Sequence, residues 1–155
     1  METTWIVSAD TGRARIFSES DQNSPLQEVE ALVNPDARTR VLDELSDKMS
    51  PIAAGKSSHG TGGALPTSQY EPQQTPEERE EQLFAKKICE LLLKAKQESR
   101  FGRLALVAPP RFLGVLRQQL DPQLKQLLSY EIDKDYSHSS GLQLRDQIRA
   151  HLAKG

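Results

Sequence analysis

The chain has 155 residues, of which 36% are hydrophobic and 27% charged, with a formal net charge of −2 at pH 7. This length suits one domain with a real hydrophobic core and is short for two, so we expect a single domain over residues 1–155. The net charge excludes a uniformly basic nucleic-acid binder but permits a local basic surface.

A single cysteine, Cys89, excludes an intramolecular disulfide and a metal site built from cysteines. Its position beside the apolar stripe of a predicted helix favours a small core residue over a nucleophile. The first residues show no secretory leader, and no window approaches the roughly 18 apolar residues of a membrane span. We therefore expect a cytoplasmic protein with no membrane partner, and we predict no cofactor.

Three strands are predicted in the first part of the chain from short apolar runs bounded by turn residues: 4–9, 14–19 and 26–33. The first two flank the turn Asp10-Thr11-Gly12 and predict a β-hairpin. Residues 36–47 carry three apolar side chains among charges, and are compatible with a short helix or an exposed arm.

All periodicity is lost in residues 49–75, a segment rich in Gly, Ser and Pro with four glycines, in which Lys56 and Glu71 are the only formal charges. Such a composition cannot bury enough apolar surface to offset the entropy cost of ordering, so we expect a flexible loop. A loop of this length inside a compact domain is uncommon, and is usually either functional or disordered.

The clearest predicted helix begins after Thr75, an N-cap residue followed by Pro76 at the first helical position and by Glu78 three residues after the cap. Acidic side chains occupy the first turns of this helix, and basic side chains, the last of them Arg100, occupy its end. This distribution complements the helix dipole. We expect Gly102 to end the helical region. The apolar stripe consists of Phe84, Ile88, Leu91, Leu92 and Ala95.

The last third of the chain predicts two more strands and three more helices. Residues 104–108 form a nearly continuous apolar run, typical of a strand buried on both faces. Two short helices, after Pro109-Pro110 and Asp121-Pro122, precede a short strand at 130–132, and the second is expected to carry Leu124, Leu127 and Leu128. Ser140 caps a final helix whose apolar face is Leu144, Ile148 and Leu152. This order predicts an α/β (α+β) fold, a mixed sheet of about five strands with flanking helices.

The stretch His59-Gly60-Thr61-Gly62-Gly63-Ala64 places two adjacent glycines in the predicted loop. Adjacent glycines allow a backbone to approach a ligand closely. The simpler interpretation is a connector whose glycines avoid structure, and composition alone favours it. His59 titrates in the range of a general acid or base, although a lone loop histidine is more often only solvated.

Acidic residues are predicted at strand ends, where enzymes of phosphoryl transfer hold divalent cations on carboxylate oxygens. They are Asp10, Asp133 and Asp135, with His138 nearby in sequence. The alternative is that Asp10 forms a turn while the later pair caps a strand-to-helix connection.

Seven of the eleven arginines are candidates for a local basic surface, and several of them fall at strand or helix ends: Arg13, Arg15, Arg38, Arg40, Arg103, Arg111 and Arg117. If they converge, they form a phosphate-binding face, and Arg13, Arg15, Arg103 and Arg111 are the candidate RNA contacts. The alternative is ordinary surface charge.

The sequence resembles the bacterial host-attachment protein family in four stretches: residues 5–17, the helix around Phe84-Ala85, residues 107–114 and residues 131–135. The resemblance implies a fold similar to the central domain of archaeal and eukaryotic peptide-chain release factors. It also implies a ribosome- or tRNA-associated role, with peptidyl-tRNA hydrolysis during rescue of stalled ribosomes as one form of it.

In those release factors a His-Gly-x-Gly-Gly-Gln loop precedes a long helix and enters the peptidyl-transferase centre. The segment from His59 to Gly63 is similar in sequence and in position, which implies catalytic positions at His59, Gly62, Gly63 and Ala64. Ala64 stands where the glutamine would be, so it retains the backbone amide and lacks the side chain. We therefore expect hydrolysis that is weak, altered or absent.

Two alternatives remain open. One is a metal-dependent nucleic-acid hydrolase using Asp10, Asp133 and Asp135, which requires these acids within about 4–6 Å of a shared site. The other is a non-catalytic interaction protein, such as a homo-oligomer, whose loop becomes ordered on a partner.

Overall fold

A computed structural model of the chain describes residues 3–21, 24–37 and 74–154. Nearly all of the predicted loop at 49–75, including the segment from His59 to Ala64, lies outside the described residues. Of the predicted helix or arm at 36–47, only the beginning is described, and residues 35–37 are helical.

The chain divides into two compact units. One comprises Met1–Asn34 with Glu81–Gly155, and the other comprises Pro35–Glu80. The first unit contains the whole β-sheet and the site described below. The expectation of a single domain over residues 1–155 stays a prediction.

Five strands form the sheet: β1 (Thr4–Ala9), β2 (Arg13–Glu19), β3 (Gln27–Val33), β4 (Arg103–Val107) and β5 (Leu128–Ile132). Their order across the sheet is β3-β2-β1-β4-β5. β2 pairs antiparallel with both β1 and β3, whereas β4 pairs parallel with both β1 and β5. The prediction of a mixed five-stranded sheet with flanking helices is confirmed.

Four helices have defined bounds: α1 (Pro76–Gln97), α2 (Pro110–Gln119), α3 (Pro122–Lys125) and α4 (Gly141–Lys154). Two of the predicted caps are confirmed by their hydrogen bonds. The Thr75 hydroxyl accepts from the backbone N–H of Glu78 at 3.1 Å. Ser140 and Gln143 form a reciprocal capping box, with each side chain accepting from the other's backbone N–H. Among the described residues, no helix has the length and apolar character needed to cross a bilayer.

The hydrophobic core has two parts, one on each face of the sheet, because successive strand residues point to opposite faces. On one face, Trp5 and Val7 pack with buried side chains of α1 and α2. On the other face, Ile6 and Phe17 pack with Leu144 and Ile148 of α4. β4 contributes to both clusters, so the prediction of a strand buried on both faces is confirmed.

The C-terminus of α1 differs from the sequence expectation. The helix ends at Gln97, and Ser99 adopts the left-handed conformation with φ of 59°. The backbone N–H groups of Ser99 and Arg100 donate to the carbonyls of Lys96 and Ala95, which is the Schellman pattern. Gly102 has no positive φ, so the prediction that it ends the helix is wrong.

Two leucines also differ from expectation. Leu128 begins β5 instead of extending a helix, because it pairs with Leu104 at the start of β4. Leu152 is 47% exposed, although the periodicity of α4 placed it on the buried face. It lies in the last turn of α4 and borders a surface depression instead of the core.

Candidate functional site

Asp10 lies where β1 ends, beside the loop 133–140 that follows β5. Its Oδ1 accepts hydrogen bonds from the backbone N–H groups of Gly12 at 2.7 Å and Arg13 at 2.9 Å. The backbone N–H of Asp10 donates to the carbonyl of Arg13, which closes the β1–β2 hairpin. One carboxylate oxygen therefore has the turn-forming role that the sequence left as an alternative.

The second oxygen of Asp10 faces the loop 133–140. The Ser137 hydroxyl lies 2.7 Å from Oδ2 of Asp10 and 2.6 Å from Oδ1 of Asp135. Ser137 is completely buried, and its backbone N–H also donates to Oδ1 of Asp135 at 3.1 Å. A hydroxyl carries one hydrogen, so Ser137 donates to one of the two carboxylates at a time.

His138 lies on the solvent side of this cluster, with 71% of its side chain exposed. Its Nδ1 is 3.1 Å from Nη1 of Arg13, and its Nε2 is 3.7 Å from Oδ2 of Asp10. A guanidinium has only donors, so Nδ1 accepts and the ring hydrogen is on Nε2, towards Asp10.

Arg15 holds the loop 133–140 against the hairpin. Its guanidinium donates to the carboxylate of Glu28 on β3 at 2.8 Å and to the carbonyls of Ser137 and Ser139. Only 17% of its side chain is exposed. These contacts give Arg15 a structural role in positioning Ser137, and its predicted contact with RNA stays a prediction.

We define the Asp10 cluster as Asp10, Arg13, Asp135, Ser137 and His138. Asp133, predicted to act with Asp10 and Asp135, is exposed at the start of the loop. Within residues 3–21, 24–37 and 74–154, no group of three or more His, Cys, Asp or Glu side chains is arranged to hold a metal ion. The described geometry thus lends no support to a metal-dependent hydrolase at these acids.

The four arginines predicted to contact RNA lie in different places. Arg13 belongs to the Asp10 cluster, at the end of the parallel strands. Arg103 pairs with Thr4, and so lies at the opposite end of the sheet. Arg111 is in the first turn of α2, where its exposed guanidinium lies 3.5 Å from the buried carboxylate of Glu81. Arg13 and Arg15 both contact the loop 133–140, whereas Arg103 lies at the other end of the sheet, so the four arginines do not form one continuous surface.

Cys89 is buried in the core formed by α1 and α2, with its Sγ 3.8 Å from the carbonyl oxygen of Leu116. Burial, with a smaller contribution from the charge of Glu90, raises the pKa of the thiol from 9.0 to about 12. A thiol with this pKa is not a nucleophile at neutral pH. The prediction of a core residue is confirmed.

Two residues of the site region went unrecognised in the sequence. Ser137 has a local signal, since Asp135 two residues before it forms an Asx-type turn with its backbone N–H. Arg145 has none: it is a buried arginine on α4 that donates to the carbonyls of Asp21 and Ser24 and lies 3.7 Å from Glu19. It attaches α4 to the β2–β3 connection.

Comparisons with known proteins give one family match. The model of the family described as "Protein required for attachment to host cells" matches residues 5–148. None of the curated proteins matches the chain significantly. Among the solved structures that match, two align with 99% of this chain: an archaeal protein (16% identity, TM-score 0.44) and an archaeal translation termination factor (12% identity, TM-score 0.43). The chain spans 41% of the length of each.

Proposed function

The chain belongs to the family of proteins described as required for attachment to host cells, and we propose that it acts as a ribosome- or tRNA-associated factor. The observation that carries the proposal is the sequence His59-Gly60-Thr61-Gly62-Gly63 ahead of α1, a helix whose start is defined by the cap between Thr75 and Glu78. The proposal includes a cytoplasmic location.

The chemistry proposed for the segment 59–64 is approach to the ester bond of peptidyl-tRNA. Gly62 and Gly63 allow a backbone without side chains to come close to the ester. The backbone N–H of Ala64 donates to the oxygen that becomes negative as water attacks the carbonyl carbon. The ester C–O bond then breaks, the peptide leaves as a carboxylic acid, and the tRNA 3′ oxygen takes a proton.

Ala64 limits the rate that this mechanism can reach. An alanine provides the amide donor and no side chain to position the attacking water. We therefore propose that binding is the primary activity and that hydrolysis is slow. If the protein binds ribosomes or tRNA and releases no peptide, the non-catalytic interaction protein is the correct form of the proposal.

Cosedimentation with ribosomes at modest salt tests the binding. We expect the wild type to sediment with ribosomes and the Gly62→Ala/Gly63→Ala variant to lose most of this association. Gly114→Ala is the matched control, because a Cβ at Gly114 meets no atom within 4 Å and the substitution leaves the fold intact. An unchanged profile for the double variant would exclude the glycine pair from the interaction.

Peptide release from peptidyl-tRNA, with and without ribosomes, tests the chemistry. Ala64→Gln restores the side chain at the position that the resemblance assigns to glutamine. We expect this variant to release peptide at least about tenfold faster than the wild type, in line with the rate effects of single positioned groups in active sites. Equal rates for the two proteins would remove position 64 from the proposed mechanism.

A further inference from the structure

Three parallel strands begin at one end of the sheet, which we call the amino edge. Thr4 of β1 pairs with Arg103 of β4, and Leu104 pairs with Leu128 of β5. The connection from α1 enters β4 here, and the end of α4 lies here too, since Arg149 and Leu152 border the same depression as Thr4. This edge is the end of the sheet opposite the Asp10 cluster.

The amino edge carries two surface depressions. One, of about 500 Å³, is lined by Thr3, Lys96, Arg100 and Leu127 among others. The second, of about 760 Å³, includes Thr4, Arg103, Ser129 and Arg149. Phe101 and Leu127 of the first depression belong to the core on the α1 side of the sheet, and Tyr130 and Ile148 of the second belong to the core on the α4 side, so the two depressions lie on either side of the strand starts.

The charge lining the two depressions is positive. Lys96 and Arg100 line the first depression, and Arg103 and Arg149 line the second. Glu19, in the second depression, is the one carboxylate among the residues that line the two. The chain as a whole has a formal charge of −2, so this edge holds a local excess of positive charge. A neighbouring depression is lined by Glu30, Glu90 and Glu98, with Lys94 and Arg100, and it limits the positive surface on one side.

Two of these cations keep their charge available. Lys96 donates to the neutral side-chain oxygen of Gln123 at 3.2 Å. The guanidinium of Arg100 lies 4.8 Å from the ring centroid of Trp5, whose ring stacks on Phe101. Within the described part of the chain, neither cation forms a salt bridge with a carboxylate. The contact with Trp5 also orders the Arg100 side chain, which lowers the entropy lost when it binds an anion.

The donors at this edge are the types that contact phosphates and riboses in nucleic-acid complexes: arginine, lysine, and the hydroxyls of Thr4, Ser129 and Tyr130. We infer that the amino edge binds the phosphate backbone of RNA. This inference rests on the proposed function, because it supplies the contact surface for a ribosome or tRNA partner. RNA is favoured over an acidic peptide because hydroxyl donors accompany the cations on the larger depression.

The test is binding of fluorescein-labelled, unacylated tRNA, followed by anisotropy over a range of salt concentrations. The Lys96→Gln/Arg149→Gln variant removes one cation from each depression. We expect its Kd to rise about ten- to a hundredfold at low salt, and the slope of log K against log salt to decrease by about two, one for each lost phosphate contact. Circular dichroism of both proteins checks that the variant is folded.

The control is Lys86→Gln/Lys87→Gln, which removes the same charge from exposed positions in the middle of α1. We expect its Kd to stay within about twofold of the wild type, because contacts to phosphate are local. Wild-type affinity of the Lys96→Gln/Arg149→Gln variant for tRNA, or an equal loss of affinity in the control, would overturn the inference and leave the proposed function standing.

Polyglutamate at matched charge tests the choice of partner. If it competes with tRNA as well as unlabelled tRNA does, the amino edge binds an acidic protein instead. A wild type that binds neither tRNA nor ribosomes would refute the proposed function itself, and the inference with it.

Discussion

The hydroxyl of Ser137 lies 2.7 Å from Oδ2 of Asp10, and joins the loop 133–140 to the turn of the β1–β2 hairpin. The same carboxylate organises the hairpin turn through its other oxygen. Asp10 therefore links two parts of the chain that are distant in sequence and adjacent at the end of the parallel strands. Because Ser137 is fully buried, its hydroxyl depends on these carboxylates for its hydrogen bonds.

Ser137→Ala should destabilise the protein. The substitution removes the single hydroxyl hydrogen that Asp10 and Asp135 share, so one of the two carboxylates loses this donor. We expect the free energy of unfolding to fall by about 1–3 kcal/mol, because a hydrogen bond to a charged group is lost. Urea denaturation followed by circular dichroism measures the change.

Ser20→Ala is the control for this prediction, since Ser20 is exposed in the turn after β2. Its free energy of unfolding should stay within about 0.5 kcal/mol of the wild type, as for most surface substitutions. If Ser137→Ala is as stable as the wild type, water replaces the hydroxyl as hydrogen-bond donor to the carboxylates of Asp10 and Asp135. The loop 133–140 then does not depend on Ser137 for its position.

The elements that the sequence predicted correctly have local causes. Thr75 and Ser140 form caps because the residue three positions later lies within reach of the cap, and this spacing is visible in the sequence. The run 104–108 predicted a strand buried on both faces because nothing polar interrupts it. In each case the interaction that decides the structure lies within a few residues.

The features that sequence reasoning missed depend on residues far apart in the chain. Nothing near Ser137 indicates that its hydroxyl meets Asp10, and nothing in α4 indicates that Arg145 donates to the β2–β3 connection. Leu152 continues the apolar spacing of α4 but is exposed, because the last turn of α4 extends beyond the core. The fold class was thus predictable from patterns, while the Asp10 cluster required the tertiary structure.

Ser99→Gly should stabilise the protein. Ser99 adopts φ of 59°, a conformation that costs a residue with a Cβ about 1–2 kcal/mol and costs glycine almost nothing. Part of this gain is lost because glycine makes the unfolded chain more flexible, so we expect a net gain of about 0.5–1 kcal/mol. Ser99→Ala retains the Cβ and should show no gain. Thermal unfolding of the three proteins separates these outcomes, and an equal effect of alanine and glycine would contradict the role of φ.

Two helical glycines should respond differently to alanine. At Gly114, in α2, a Cβ meets no atom within 4 Å, whereas at Gly141, the first residue of α4, it would lie 3.2 Å from the carbonyl oxygen of Leu26. Gly114→Ala should therefore gain up to about 1 kcal/mol from helix propensity. Gly141→Ala should gain less or lose stability, because the backbone of Leu26 must move. Urea midpoints of the two variants give the order, and the reverse order would show that α4 moves freely at its start.

Cys89 should be unreactive in the folded protein. Burial raises its pKa to about 12, so at pH 8 almost no thiolate is present, and the thiolate is the reactive form. We expect a colorimetric disulfide reagent to label Cys89 slowly in buffer and rapidly in denaturant, with the slow rate set by opening of the core. Rapid labelling of the native protein would contradict the burial of this thiol between α1 and α2.

The same pKa predicts a pH dependence of stability. Between about pH 9 and 12 the unfolded chain loses the Cys89 proton while the folded protein retains it, so the unfolded state binds fewer protons and stability falls as the pH rises. Below pH 9 both states hold the proton, and this contribution is constant. Other groups also titrate above pH 9, so the measurement is the difference between the wild type and Cys89→Ala in the free energy of unfolding. We expect the wild type to lose stability relative to Cys89→Ala between pH 9 and pH 11. A difference in the free energy of unfolding that is independent of pH would show that Cys89 titrates alike in both states.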